Sequence, residues 1–273
     1  MMRKLLVRGL LAGLVAGVFG FAIAKTMGEP QVDKAIAFEG YVADNIHHEA
    51  PGADLVSRSV QSSAGLGTGA LIYGVALGGI SALVFAGLYG RGGMTKAKPT
   101  AALVGLCGFV AVYLVPVLKY PANPPSIGQA DTIGRRTALF VLMIVISVAG
   151  MAVAAIAWRR LIDRTSRWNA TLSAGLIYVA IIVIAYVALP GINEVPQVAI
   201  PGITDAVTDA AITFPPTILW KFRVASMLIQ LVLWTGIGLT FGCLAERVLE
   251  PVTRPARRFT KARVDDVDLV APH

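Results

Sequence analysis

Apolar residues in this chain gather into continuous runs instead of alternating with polar ones. Six runs stand out, at about 5–24, 66–88, 101–118, 138–158, 170–189 and 218–245. Each is close to the roughly 20 residues an α-helix needs to cross a hydrocarbon core. Such runs argue against a transmembrane β-barrel, whose strands alternate apolar and polar positions. The pattern predicts an all-α fold, a polytopic transmembrane helical bundle of about six spans. Residues 1–250 would form the transmembrane domain, arranged as three helical hairpins. Residues 251–273 would form a flexible cytoplasmic tail of basic and acidic residues.

Composition agrees. Of the 273 residues 56% are apolar and only 15% charged, with a mean hydropathy of +0.70. A soluble domain carries nearer one quarter charged residues. In a soluble protein the net charge of +8 would suggest nucleic acid. Here it is better explained by basic residues retained on the cytoplasmic side, and no nucleic-acid partner is expected.

Most of the 24 basic residues lie in four places: the N-terminus (Arg3, Lys4, Arg8), loop 91–99 (Arg91, Lys96, Lys98), loop 159–169 (Arg159, Arg160, Arg164, Arg167) and the tail after Glu246. This bias predicts cytoplasmic N- and C-termini, with loops 25–65, 119–137 and 190–217 facing outward. The first run has a second reading. Arg3, Lys4 and Arg8 precede an apolar stretch ending Ala22-Ile23-Ala24, the pattern of a cleavable signal peptide. The small-residue spacing of Gly13, Gly17 and Gly20 instead suits a retained helix packed against neighbours. Lys221 and Arg223 near the outer end of the last span can snorkel to the interface. Cys107 and Cys243 lie inside apolar runs, where small packing residues are expected and a disulfide framework is not.

Candidate chemistry is sparse. The first outer loop holds Asp44, His47, His48, Glu49 and Asp54 within eleven residues. Mixed imidazole and carboxylate ligands suit a borderline divalent ion such as Co²⁺ or Ni²⁺, and affinity alone would not separate the two. Two imidazoles and one carboxylate are too few to enclose such an ion without water or a partner. Their hold would weaken as the imidazoles protonate, below about pH 6.5. A solvated loop that happens to carry histidines is the plainer alternative.

The second outer segment brings Tyr113, Pro116, Tyr120, Asn123, Pro124 and Pro125 together around four prolines. Prolines so dense are expected to stop the helix and impose an extended path. Such backbone survives at membrane depth only where it is buried or lines a cavity, so its carbonyls and Asn123 are pathway candidates; a stiff external turn is the alternative. Gly65-Leu-Gly-Thr-Gly69 lacks phosphate-binding spacing and reads as helix packing. There is no P-loop, no His-Glu-x-x-His motif and no nucleophile–base pair, so no enzyme is expected and any uphill movement must draw on a partner or an ion gradient. Asp205 and Asp209 read as a solvated helix face.

The basic, Gly-rich first helix, the His47-His48-Glu49 element, and the run from Tyr113-Leu-Val-Pro116 to Tyr120-Pro-Ala-Asn-Pro-Pro125 resemble the CbtA family of probable cobalt transporter subunits. The resemblance extends through most of the chain and is weakest beyond Glu246. It implies cobalt import linked to cobalamin supply, in the bacterial inner membrane, with no permanently bound cofactor. It also implies a small single-span partner, CbtB, bearing its own histidines, which would complete the half-site at His47 and His48. A homo-oligomer is compatible with this reading. The competing class is a non-transporting membrane scaffold that docks a partner through its outer loops; an enzyme acting on lipid ranks last.

Overall fold

The computed structural model describes residues 1–42, 56–91, 93–125, 132–192, 197–198 and 212–250. It contains six helices long and apolar enough to cross a membrane: α1 (Met2–Tyr41), α2 (Arg58–Leu88), α3 (Ala97–Lys119), α4 (Ile133–Ile162), α5 (Arg167–Ala188) and α6 (Pro216–Leu249). We call the end carrying Met1 and Glu250 proximal and the opposite end distal. A two-residue antiparallel ladder pairs Gln197–Val198 with Ile212–Thr213. The tail 251–273 lies outside the described residues.

Two boundaries differ from the sequence reading. The first helix does not stop near residue 24; with 40 residues it is about 60 Å long, twice the hydrocarbon thickness. Much of the expected first loop is therefore helix, both here and where α2 begins at Arg58. Pro116 also does not stop α3, which runs on to Lys119. The reason is local. Both interior prolines follow a π-helical stretch, Ala24–Gly28 before Pro30 and Phe109–Leu114 before Pro116. The wider π-turn absorbs the strain of a ring that lacks an N–H and crowds the preceding turn.

The closest interface joins α1 to α2. Gly9, Gly13 and Gly17 face Gly74 and Gly78 so tightly that an added Cβ on Gly13 would overlap the Gly74 carbonyl, and one on Gly78 the Gly9 carbonyl. Without a hydrophobic drive between helices in lipid, such small-residue contact maximises van der Waals packing. α6 then lies against α1 and α3, where Gly105 meets the Trp234 carbonyl region and Gly108 the Trp234 ring. Leu5, Ala12, Ala82, Phe85, Ala101 and Phe241 fill the proximal core of this four-helix unit. Glu250 accepts from the Ala97 N–H at 2.7 Å and Lys98 meets Glu246 at 2.7 Å, closing the proximal end.

The helices α4 and α5 form a separate antiparallel pair, built around Met143, Ala154, Ala174, Tyr178 and Ala185. The connectivity keeps three successive hairpins, but the packing groups them differently. α4 packs chiefly on α5, and α6 packs on α1 and α3 instead of on α5. Among the described residues the main bridge between the two groups is the distal part of α3, through its π-helical stretch and last turn, with a further bond from Arg159 of α4 to the Gly87 carbonyl of α2.

Candidate functional site

His47, His48, Glu49, Asp44 and Asp54 lie outside the described residues. The flanking geometry is defined. Their segment joins the distal end of α1 to the start of α2, and these ends are tied by charge. Arg58 pairs with Glu29 and, at 2.9 Å, with Asp33 one turn farther along α1. Glu29 is largely buried, with 11% of its side chain exposed, so it needs this partner. Beyond the pair, Phe38 meets Phe214 edge-on at 5.2 Å, seating the α1 extension against the segment that enters α6. Among the described residues no group of three or more His, Cys, Asp or Glu side chains is arranged to hold a metal.

The proline segment forms a cap at the distal end. Tyr113, Pro116, Tyr120 and Pro124 are buried, Asn123 is half-buried and Pro125 exposed. Its ties run to α5 and the turn after it, to α4 and to α6. The Tyr186 hydroxyl donates to the Val115 carbonyl at 2.6 Å, and Lys119 donates to the Tyr186 carbonyl at 2.7 Å. The Tyr120 hydroxyl reaches the Pro190 carbonyl at 2.8 Å. From α4, Arg136 donates to the Pro121 carbonyl at 2.7 Å. From α6, Arg223 donates to the Ala122 carbonyl at 3.2 Å and to Asn123 Oδ1 at 3.0 Å.

These ties answer a need set by sequence. The prolines free backbone carbonyls from the helical ladder, and in an apolar setting each must find a donor. Arginine, with five donors on a planar head, supplies them. Arg223 therefore grips the cap, while Lys221 is exposed. The oxygens the sequence offered to an ion are held by guanidinium groups in this arrangement, and a cation approaching Asn123 meets positive charge first.

Deeper in the bundle, Tyr113 bonds across to Ser226 of α6 with 2.9 Å between hydroxyl oxygens. Four residues further along α6, Gln230 stands near Tyr73 of α2, which is 42% exposed. Sequence reading passed over Tyr73, Ser226 and Gln230. A signal was present: Ser226, Gln230 and Trp234 recur every four residues through an otherwise apolar run, marking one face of α6. On the other side of α3, Ser147 and Tyr178 form a buried pair at 2.7 Å between α4 and α5. Cys107 is half-buried and Cys243 exposed, both as free thiols.

This is a membrane bundle with a capped distal end, a tied loop base and polar side chains in its interior, and it carries no nucleotide motif. A family model described as "Probable cobalt transporter subunit (CbtA)" matches residues 2–246. No curated protein and no solved structure matches the chain. Because the family match runs from the first turn of α1 to the last turns of α6, through all six apolar helices, the chain belongs to the CbtA family of probable cobalt transporter subunits and is an integral membrane protein.

Proposed function

We propose that the chain is the membrane-embedded subunit of a cobalt importer in the bacterial inner membrane, with its distal end outside and both termini in the cytoplasm. The family match over residues 2–246 carries this reading. The charge bias supports the orientation, since Arg3, Lys4, Arg8, Arg91, Arg159, Arg160, Arg164 and Arg167 all sit at the proximal end. Co²⁺ is captured by His47, His48 and Glu49, with Asp44 beside them; Ni²⁺ competes for the same ligands. The ion is cargo and no cofactor stays bound. As a subunit the chain has partners, and a single-span, histidine-bearing CbtB-like protein supplies the remaining ligands. The cap formed by Tyr113, Pro116, Tyr120, Asn123, Pro124 and Pro125 lies on the ion's route, and Arg136 and Arg223 must loosen for its oxygens to take part.

Radiocobalt uptake in cells expressing the chain tests this, with nickel as competitor. The double variant His47→Ala/His48→Ala is expected to lose accumulation while the protein still reaches the membrane. Unchanged uptake by that variant would remove the capture role.

A further inference from the structure

The polar residues at mid-depth of the four-helix unit, from exposed Tyr73 to buried Trp234, are not fully explained as interhelical fasteners. Tyr73 stands midway along α2, fifteen residues from either end, and Gln230 is close to the middle of α6. Both therefore lie at hydrocarbon depth, where an unmet polar group costs several kcal/mol or about that order. A hydrogen bond between helices accounts for Tyr113 and Ser226. Gln230 Oε1 is buried without a partner, and so is Trp234 Nε1 one turn along the same face.

An orphaned acceptor and an orphaned donor one turn apart suit a molecule that both donates and accepts, which is water. Tyr113, bonded to Ser226, and then Gln230 and Trp234 on the same face of α6 form a stripe leading inward from the cap, with Tyr73 exposed at its edge. All are uncharged. Neutral oxygens hold the water shell of a divalent cation without stripping it and without the grip of carboxylates, and weak holding is what passage requires.

We propose that this seam between α2, α3 and α6 takes up water and is the intramembrane station for a partly hydrated divalent cation on its way from the distal mouth. The inference rests on the transport reading and adds the residues of the path. It also assigns Gln230 as the oxygen that faces the cargo's water shell.

The test uses full-length protein in cells, in a background with Cys107 and Cys243 replaced by serine and alanine. Single cysteines are placed at Ser226, Gln230 and, as a lipid-facing control, Leu231, which is 45% exposed on the outer surface of the bundle. Thiolate, which needs water to form, is the reacting species, so a membrane-impermeant thiosulfonate should label 226 and 230 at least about tenfold faster than 231. Cobalt in the medium should slow that labelling. In parallel, Gln230→Leu should lower radiocobalt uptake about tenfold at unchanged protein level, while Gln230→Glu retains labelling-competent folding as a control for packing. Normal wild-type uptake with 226 and 230 unlabelled, or normal uptake by Gln230→Leu, overturns the seam alone. No wild-type uptake overturns the transport reading and with it the seam's cargo, even if the cysteines label.

Discussion

The α1–α2 interface and the α4–α5 pair are both antiparallel helix contacts, yet they are built on opposite principles. The first brings backbone against backbone through Gly9, Gly13, Gly17, Gly74 and Gly78. The second keeps the helices apart with side chains, closes around Tyr178 and Met143, and turns Val141, Val145, Leu176, Val179, Val183 and Ile184 outward. An interface of glycines has one geometry and no slack. A side-chain interface can repack, and this pair is joined to the rest mainly through the cap at the end of α3. A fixed unit and a second pair that meet mainly at a polar joint suit the proposed transport, in which a path opens without the bundle coming apart.

The sharpest way to break this contrast is to add one methyl group. Gly13→Ala or Gly78→Ala places a Cβ inside the carbonyl of the facing helix, and nothing there can yield except backbone. Each should cost at least about 3 kcal/mol, the upper end of overpacking penalties, with lost expression or a large fall in detergent melting temperature. Gly175→Ala in α5 has no atom within 4 Å of the new Cβ. It should melt within about 0.5 kcal/mol of wild type or slightly higher. Equal melting of all three would end the claim that the two interfaces differ.

Next in size is the tie at the base of the His-bearing segment. Arg58→Ala leaves Glu29 charged and largely buried, beside a second carboxylate at Asp33. The cost should be about 2 kcal/mol, because removal of one partner strands the other charge. Removing the stranded charge should reverse the loss, so Glu29→Gln in the same chain should restore stability at neutral pH. Melting curves of the single and double variants decide this. A defect that Glu29→Gln leaves unchanged would show that Arg58 acts through something else.

The cap gives a smaller effect and tests the joint directly. Tyr186→Phe removes the donor to the Val115 carbonyl, and Lys119→Met removes the donor to the Tyr186 carbonyl. Each should cost about 1 kcal/mol, and the two should be non-additive because both close the same joint. A double-mutant cycle read by thermal melting measures the coupling; strict additivity would mean that the cap is a set of separate contacts.

How far the sequence reaches follows the same division. The six spans were legible because a continuous apolar run has few other uses. The packing value of Gly13 and Gly17 was legible for a similar reason, since their spacing repeats on one helix face. The helical extension to Tyr41 was not, because Glu29, Asp33, Lys34 and Glu39 read as loop, and the contacts that hold this stretch, Arg58 to Glu29 and Asp33 and Phe214 to Phe38, are distant in sequence. Pro116 misled in another way. Propensity predicts a stop, but the π-turn that accommodates it is a tertiary adjustment with no local signature. Arg223 was read by its depth as a snorkelling residue, whereas its role is set by proline-freed carbonyls about a hundred residues earlier. His47 and His48 stand out in sequence and fall outside the described residues; Gln230, which structure brings forward, was one polar letter in an apolar run.

The smallest predicted effect separates an ordinary fastener from the seam. Ser147 and Tyr178 are buried and fully paired with each other at 2.7 Å, with no orphaned atom on either side chain. They form an interhelical hydrogen bond of the kind that contributes only about 0.6 kcal/mol in a bilayer. Tyr178→Phe should therefore lower stability by about that amount and leave cobalt uptake unchanged, while Ser147→Ala does the same and adds nothing to it in the double variant. Tyr113→Phe makes the same chemical change in the seam, where Ser226 loses its partner beside Gln230. It should cost similar stability yet reduce uptake, because the lost hydroxyl is one of the oxygens lining the route. Matching losses of uptake at Tyr113 and Tyr178 would mean that both act by holding helices together, and the distinction between fastener and path would collapse.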